Sequence, residues 1–366
     1  MPMVNVFRCS RRLFLYWIGV LILSGCASQP QTLEFVMPDR SLLTPGDNLV
    51  WPAPPDVPRY LYLGDLTGEN NLKNDASQSS NMMTRAFNWL LGISGVEAHI
   101  PVVLQRPQSG ITDTKGRIYV ADNSRAAVMV FDPLTGTINV WDEISPGKKL
   151  KSPIAVALID NDVLVTDSGW KKVFRFNKTT GVVQGSFGED VLNRPTGIAV
   201  DPRRQRVYVS DTDDHNIKVF DRNGTLLEIV GSRGAKLGQF NAPTFLAVYN
   251  RTLYVSDTLN ARVQMFSSSG DVLKSVGQRG LYIGDLTRPK GISLDEFGNL
   301  YVIESFYDTL LIYNPDGRLL LSIGGSGKEP GHFFLPSGVW TDKRNRIFVA
   351  DMLNGRVSVF QYLGEN

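Results

Sequence analysis

The chain has 366 residues, of which 42% are apolar and 20% are charged. Its 38 basic and 36 acidic residues nearly cancel, and removal of residues 1–25, which hold three arginines and no acid, would leave 35 basic residues. This balance argues against a protein that binds nucleic acid or acidic lipid. The two cysteines, Cys9 and Cys26, form no haem-attachment motif. A chain of this length can bury a large core without disulfides.

The N-terminus has the pattern of an export signal. Three arginines precede an apolar run of 11 residues from Leu13 to Leu23, which is too short to span a bilayer. The run leads into Leu23-Ser24-Gly25-Cys26, which resembles a bacterial lipobox, in which the cysteine receives lipid and becomes the new N-terminus. We therefore predict a signal peptide at 1–25 and membrane attachment through lipid on Cys26. By the same resemblance, Ala27 favours the outer membrane, on its periplasmic or cell-surface side.

Two further segments precede the main body of the chain. Residues 26–58 are rich in proline, which predicts an extended tether. A short helix is predicted at about 82–94, with one apolar face formed by Ala86, Trp89, Leu90 and Ile93. We expect this helix to dock on the main domain; the alternative is a helix that contacts the membrane or a partner.

The rest of the chain is built from six copies of one pattern. Each copy begins at a proline, and the intervals between these prolines are 46, 42, 48, 46 and 47 residues. The heads are Pro107, Pro153, Pro195, Pro243, Pro289 and Pro336. The first five copies each hold four short strand-like runs with turn residues between them, and in all six copies the second run ends in an acidic residue. Single four-stranded sheets cannot cover both of their faces, so a radial arrangement of such sheets is predicted.

The sixth copy stops one strand short of the others. Its last strand-like run, Val357 to Phe360, would be the third strand of its sheet. The segment at about 59–65, which contains Tyr60-Leu61-Tyr62-Leu63-Gly64, is similar to the outer strands of other copies. We predict that this N-terminal strand completes the last sheet and closes the ring, which would leave no long open edge.

The copies resemble a known repeat family. The run Pro195-Thr-Gly-Ile-Ala-Val-Asp201, followed by Val207-Tyr-Val-Ser-Asp211 and His215-Asn-Ile-Lys-Val-Phe-Asp221, is similar to an NHL repeat. This resemblance implies an all-β fold, a six-bladed β-propeller of four-stranded blades, over residues 59–362. NHL propellers generally bind protein partners, so the resemblance also implies a binding role.

The acids that end the second strands are interpreted as structural residues. An acid and a base bracket the same turn in three copies, as Asp167 and Lys172, Asp257 and Arg262, and Asp351 and Arg356. Such an acid can accept hydrogen bonds from loop amides and pair with the base. Recurrence in successive copies is typical of scaffolding within a repeat.

Departures from the pattern mark a candidate binding rim. The turns after the second strands carry aromatic and acidic residues in three copies: Trp170, Asp213, Asp214, His215, Glu304, Phe306, Tyr307 and Asp308. Propeller geometry places these turns on one rim of the ring, where exposed aromatic side chains can anchor a partner. The alternative is ordinary loop variation with partly packed rings.

Catalytic groups are few in this sequence. The three histidines, His99, His215 and His332, fall at different positions of the repeat, which argues against a three-histidine zinc site. The residues two places after the head prolines are small or apolar and include no metal ligand. We predict no catalytic residue, metal or cofactor.

Two functional hypotheses follow. The first is a noncatalytic protein-binding lipoprotein of the outer membrane that docks an envelope protein partner and does not bind nucleic acid. The alternative is a metal-dependent hydrolase, lactonase or lyase with its site at the tunnel mouth, using acids such as Glu304.

Overall fold

The computed structural model describes residues 33–35, 48–74 and 101–364. The predicted signal peptide, Cys26, most of the predicted tether and the predicted helix at 82–94 lie outside the described residues. In the described residues ahead of the first repeat there are four strands: β1 (Leu33–Phe35), β2 (Val50–Trp51), β3 (Tyr60–Leu66) and β4 (Leu72–Asn74). β1 pairs with β4, and a short 3-10 helix spans Glu69–Asn71.

The repeats form six antiparallel sheets, the blades. Blade 1 contains β5 (Pro107–Thr112), β6 (Ile118–Asp122), β7 (Ala127–Asp132) and β8 (Thr137–Trp141). It is followed by a small hairpin of β9 (Glu143–Ser145) and β10 (Lys148–Lys149). Blade 2 contains β11 (Pro153–Ile159), β12 (Asp162–Asp167), β13 (Lys172–Asn177) and β14 (Val183–Phe187). Blade 3 contains β15 (Pro195–Asp201), β16 (Arg206–Asp211), β17 (Asn216–Asp221) and β18 (Leu226–Val230).

The other three blades repeat this order. Blade 4 contains β19 (Pro243–Tyr249), β20 (Thr252–Asp257), β21 (Arg262–Phe266) and β22 (Val272–Val276), with a 3-10 turn at Thr258–Asn260. Blade 5 contains β23 (Pro289–Leu294), β24 (Leu300–Glu304), β25 (Thr309–Tyr313) and β26 (Leu319–Gly324). Blade 6 contains β27 (Val339–Thr341), β28 (Arg346–Asp351) and β29 (Arg356–Tyr362) together with the N-terminal strands β3 and β2.

The sheets form a six-bladed β-propeller, as predicted. The first strands of consecutive blades contact one another around the centre, and β27 of blade 6 contacts β5 of blade 1, so the ring is closed. Glycines allow these strands to approach closely. A Cβ atom on Gly291 would lie 2.6 Å from the Cα of Gly338, and one on Gly197 would lie 2.7 Å from the Cα of Phe245. A larger residue at either position would push neighbouring blades apart.

The predicted closing strand is confirmed. β3 pairs antiparallel with β29, from Leu66 opposite Val357 to Tyr60 opposite Tyr362. β2 then pairs with β3 as a fifth, outermost strand. Asp65 of β3 accepts a hydrogen bond at 2.8 Å from Arg356 Nη1 and another at 2.8 Å from Ser358 Oγ. Closure therefore combines a backbone ladder with a partly buried ion pair.

The core lies between the blades. The second and third strands carry buried residues on both faces, since each sheet packs against a neighbour on either side. Rings fill these layers: Phe333 and Phe360 have centroids 6.1 Å apart, and the centroids of Phe240 and Phe266 are 5.4 Å apart. The outermost strands consist mostly of partly buried and exposed residues, which is typical of a sheet edge that faces water.

Strand direction defines the two faces of the ring. In five blades the head proline lies opposite the acid at the end of the second strand, as Pro153 does with Asp167. We call this end the upper face. It carries the connections that lead into each blade and the turns between the second and third strands. The lower face carries the turns between the first and second strands and those between the third and fourth strands.

Candidate functional site

The acid at the end of each second strand is buried in its own blade. Asp167 accepts hydrogen bonds from the backbone N–H groups of Lys151 at 2.7 Å, Ser152 at 3.1 Å, and Gly169 and Trp170 at 2.9 Å. The equivalent acids of the other five blades also accept backbone N–H groups from the connection before their head proline. All six are at most 1% exposed. These carboxylates tie each connection to its blade.

Two of the three expected acid–base pairs have close geometry. Arg262 Nε lies 2.8 Å from Asp257 Oδ2, and Arg356 Nε lies 2.8 Å from Asp351 Oδ2. The third expected pair does not form, because Lys172 Nζ lies 2.6 Å from Glu189 instead. The oxygens of Asp167 are already occupied by amides, and a lysine is long enough to reach outward.

Blade 3 contains an ion pair that the sequence analysis missed. Lys218 is only 3% exposed, and its ammonium lies 2.6 Å from Asp211 and 2.5 Å from Asp214. The hydrogen bond from Lys218 lowers the pKa of the Asp214 carboxyl. The sequence could have predicted this ion pair. Asp214 and Lys218 are four residues apart, and Asp211 ends the preceding strand.

Two residues of the predicted rim, His215 and Asp308, have the same backbone role. Each has a φ of 54°, in the left-handed region, within the turn of its blade. His215 Nδ1 accepts the N–H of Ala242 at 3.0 Å, and Asp308 Oδ1 accepts the N–H of Leu335 at 2.8 Å. Ala242 and Leu335 immediately precede the head prolines of the next blades. Both side chains therefore connect neighbouring blades.

Glu304 also lies inside the scaffold. It is 1% exposed and accepts the N–H groups of Thr287 at 2.7 Å, Arg288 at 2.9 Å and Phe306 at 3.0 Å. It thus takes the place that aspartate has in the other blades. A carboxylate held in this way is poorly placed to activate water at the tunnel mouth.

The remaining rim residues lie in two places on the upper face. On blades 2 and 3, Trp170 is partly packed, with Lys151 Nζ 3.6 Å from its ring centroid, and the exposed Asp213 lies 3.5 Å from Arg194. On blade 5, Phe306 is 56% exposed, and its ring centroid lies 5.0 Å from that of Tyr307. The structure therefore separates the predicted rim into a polar part and an apolar part.

Buried hydroxyl groups connect the blades and are not free nucleophiles. Thr166 Oγ1 donates to the carbonyl of Thr196 in the next blade at 2.6 Å. Thr212 and Thr258 donate in the same way to the carbonyls of Pro243 and Pro289, at 2.7 and 2.8 Å. The first strands of adjacent blades do not pair with one another. Their carbonyl groups need these side-chain donors, each of which lies next to the acid at the end of the second strand in blades 2, 3 and 4.

The centre of the ring is a tunnel with a cavity of about 280 Å³. The first strands of all six blades line it, largely with small and apolar residues such as Ala155, Ala157 and Ile198. Within residues 48–74 and 101–364, no group of three or more His, Cys, Asp or Glu residues is placed to hold a metal ion. Binding in the tunnel would rest mainly on shape and apolar contact.

Lys290 is unusual among the partly buried charged residues. It follows the head proline of blade 5, and burial lowers the pKa of its ammonium, with a further contribution from the charge of Arg288. Within the part of the chain that the structure describes, its side chain has no hydrogen bond or ion pair. Nothing in its sequence context, Pro289-Lys290-Gly291, distinguishes it from an exposed lysine.

Comparison with known proteins supports the repeat assignment. A family model of the NHL repeat matches residues 192–220, within the copy that carried the resemblance. No curated protein sequence is significantly similar to the chain. In the described part of the chain, no helix has the length and apolar character needed to cross a bilayer.

Solved structures of several different proteins share this architecture. Virginiamycin B lyase from Staphylococcus aureus superposes with a TM-score of 0.50 at 13% identity, covering 71% of this chain and 96% of that chain. An auxiliary nutrient binding protein from Bacteroides ovatus gives 0.55 at 15% identity, covering 70% and 69%. Kuenenia stuttgartiensis hydrazine synthase gives 0.52 at 13%, covering 74% and 99%. At these identities the likeness concerns the fold, so the chain is a six-bladed propeller with an NHL repeat at 192–220.

Proposed function

We propose that this protein is a noncatalytic protein-binding scaffold, anchored to the outer membrane by lipid on Cys26, within an envelope assembly. One observation carries the proposal: all six strand-end carboxylates are at most 1% exposed and are bonded to amides of their own blades. The carboxylates that an enzyme would need at the rim instead accept hydrogen bonds that hold the ring together. What the ring presents to a partner is a rigid surface of loops.

The polar part of the upper face is the proposed partner site. Trp170 offers a large, half-buried ring held by a hydrogen bond from its Nε1 to the carbonyl of Lys149 at 2.9 Å. The exposed Asp213 lies one blade away, 3.5 Å from Arg194, and the exposed Lys171 follows Trp170. An anchored aromatic ring among exposed charges of both signs suits a protein partner with an apolar pocket and a polar rim.

Photo-crosslinking in intact cells tests this site. The full chain would carry a photoreactive phenylalanine at position 213, and a matched chain would carry it at position 343, an exposed lysine on the lower face. We expect one envelope protein to be captured from position 213 and not from position 343. Charge reversal by Asp213→Lys should reduce binding of the captured protein by about tenfold, since it removes one attraction and adds one repulsion.

Two results would contradict the proposal. The first is equal capture from both positions or capture only from the tether, for example from the exposed Val57. The second is metal-dependent turnover of lactones or esters by the purified chain, which would support the hydrolase or lyase alternative. The fold accommodates both classes, because proteins called lyases and proteins called nutrient binding proteins share it.

A further inference from the structure

Three connections on the upper face share one frame. Those before blades 4, 5 and 6 are each closed by a backbone bridge: Arg233 with Phe240, Arg279 with Leu286, and Ser326 with Phe333. The second residue of each bridge is fully buried. Between the bridge residues, each connection has the form Gly-x-x-x-Gly-x, and the second glycine has a positive φ of 79° to 96°. The connection before blade 5 has a further bridge between Ile283 and Asp285. The three central residues of each frame therefore form the tip of an ordered loop.

The middle tip is apolar and almost fully exposed. Leu281, Tyr282 and Ile283 are 86%, 85% and 81% exposed. The next connection has Lys328-Glu329-Pro330 at the same three positions. A loop with the same glycine spacing therefore accommodates polar residues at its tip, so this spacing does not explain the apolar ones.

Other exposed apolar residues lie on the same side of the ring. Leu237, Leu259, Phe306, Phe334 and Leu353 are between 37% and 63% exposed, and all lie in upper-face loops of blades 4 to 6. In the described upper-face loops of blades 1 to 3, Val191 is the one large apolar residue of comparable exposure, at 37%. We call the upper-face loops of blades 4 to 6 the apolar sector.

The exposed charges of the apolar sector are mostly basic. Its connections and turns expose Arg233, Lys236, Arg279, Arg288 and Lys328 but only one acid, Glu329. The other acids there, Asp285 and Asp308, are at most 9% exposed. The near-neutral charge of the whole chain therefore conceals a basic sector, and the argument from net charge against an acidic lipid surface does not apply to it.

We propose that the apolar sector is a second membrane contact, in which the tip at 281–283 enters the interface of a bilayer with anionic headgroups. A convex apolar tip with arginines and lysines around it matches a surface whose interior is apolar and whose rim is negative. A protein hot spot is instead usually a pocket or a flat, packed centre. The pocket beside this tip holds only about 170 Å³.

The N-terminal part of the chain leads to the same sector. Leu49 and Trp51 pack on the connection before blade 6, where a Cβ on Gly331 would lie 2.6 Å from Trp51 and 2.9 Å from Leu49. Between Cys26 and β1 there are six residues, which span at most about 25 Å when fully extended, and β1 pairs with β4 and contacts β8 of blade 1. A lipid on Cys26 would therefore hold the neighbouring blades 1 and 6 near the bilayer, although the tip contact does not depend on that lipid.

Site-specific fluorescence on vesicles tests the proposal. The full chain would carry Cys9→Ser and Cys26→Ser, so that Ile283→Cys provides its only thiol for an environment-sensitive dye. The matched control is Val182→Cys, a 62% exposed residue on the lower face. With vesicles of phosphatidylglycerol and phosphatidylcholine, we expect a blue shift of the dye at 283 and none at 182. Vesicles of phosphatidylcholine alone should give a much weaker signal.

Two variants separate the apolar and electrostatic parts. Replacing the tip by its counterpart, with Leu281→Lys, Tyr282→Glu and Ile283→Pro, uses a sequence that the same frame already accommodates in this protein. It should lower the vesicle partition coefficient by at least about tenfold. Lys236→Glu together with Arg288→Glu should lower it by a similar factor, and added salt should reduce this second effect.

Several outcomes would overturn the proposal. One is a vesicle-bound protein whose dye at 283 remains in water. Others are equal binding to neutral and anionic vesicles, or unchanged binding after the tip replacement. Capture of a protein partner through position 283 would assign the apolar sector to that partner instead of lipid. None of these results bears on the partner site of blades 2 and 3.

Discussion

At the scale of single residues, the carboxylate at the end of the second strand has the same role in all six blades. Its oxygens face two N–H groups of the preceding connection or one such group and a base, so the connection cannot detach without losing several bonds. Glu304 shows that the longer acid also fits, since its oxygens reach equivalent amides at 2.7 and 2.9 Å. The position at the end of the second strand therefore requires a side chain with two acceptor oxygens, and either aspartate or glutamate provides them.

Replacing one of these acids should be severe. Asp167→Ala would leave the N–H groups of Lys151, Ser152, Gly169 and Trp170 without their acceptor in a buried site. We expect the free energy of unfolding to fall by about 3 to 5 kcal/mol, measured by urea denaturation. Asp213→Ala, an exposed acid on the same face, should change it by less than about 0.5 kcal/mol. Similar losses for both variants would show that amide satisfaction is not the role of Asp167.

Lysine 290 should destabilise the ring in a pH-dependent way. Burial lowers its pKa, so the folded state releases this proton more readily than the unfolded state does. Below the folded pKa, the folded protein carries a poorly solvated charge; above the ordinary value for lysine, about 10.5, the side chain is neutral in both states and the cost is gone. Lys290→Met should therefore raise stability at neutral pH, and the gain should shrink as the pH rises toward that value.

Chemical denaturation across this pH range measures the effect. The exposed Lys343→Met on the lower face is the matched control and should have little effect at any pH. A stability gain from Lys290→Met that is equally large at neutral and alkaline pH would point to packing and not to charge.

The candidate rim shows what residue types alone could not predict. His215 and Asp308 were identified as departures from the repeat, yet both accept an N–H from the residue before the next head proline. That role depends on a left-handed turn and on the position of the next blade, neither of which is written in the local sequence. Residues 281–283 were not identified from the sequence, because their exposure becomes evident only when the three connections are compared in the structure.

At the scale of elements, the strand count was enough to predict closure. The repeat period and the missing fourth strand of the last copy depend only on sequence order, which is why β3 could be located in advance. The additional strand β2 could not, because Val50–Trp51 has only two paired residues and no periodicity to detect. Long-range pairing is predictable here only because the repeat specifies what is missing.

The join between β3 and β29 should depend on Asp65. Its carboxylate bonds Arg356 and Ser358, and the Arg356 side chain is only 9% exposed, so removal leaves a buried cation with one partner fewer. Asp65→Ala should cost about 2 to 4 kcal/mol in the free energy of unfolding. Asp56→Ala, at an exposed position that also precedes the repeats, is the control and should leave the free energy of unfolding nearly unchanged. A cost below about 1 kcal/mol would mean that the backbone ladder alone holds the closure.

At the scale of the whole molecule, the upper face divides into two halves of different chemistry. Blades 2 and 3 expose charges of both signs around an anchored tryptophan, whereas blades 4 to 6 expose apolar residues among mostly basic ones. Because the blades are nearly equivalent in backbone, this difference arises from loop residues and not from the fold. A single ring can therefore present one sector to a protein and another to a lipid surface without any change of shape.

Closure also determines how the ring should unfold. An open array of repeats loses its terminal units first, since each end contacts only one neighbour, but in this ring β27 contacts both β23 and β5 and every blade has two neighbours. Hydrogen exchange in increasing urea should therefore give the most protected amides of blades 1 and 6 the same opening free energy as those of blade 3. In Asp65→Ala, blades 6 and 1 should open at a lower free energy while blade 3 keeps its own. If blade 6 opened first in the unaltered chain, the β3–β29 join would be the weak point of the ring, and the ring would behave as an open array despite its closed geometry.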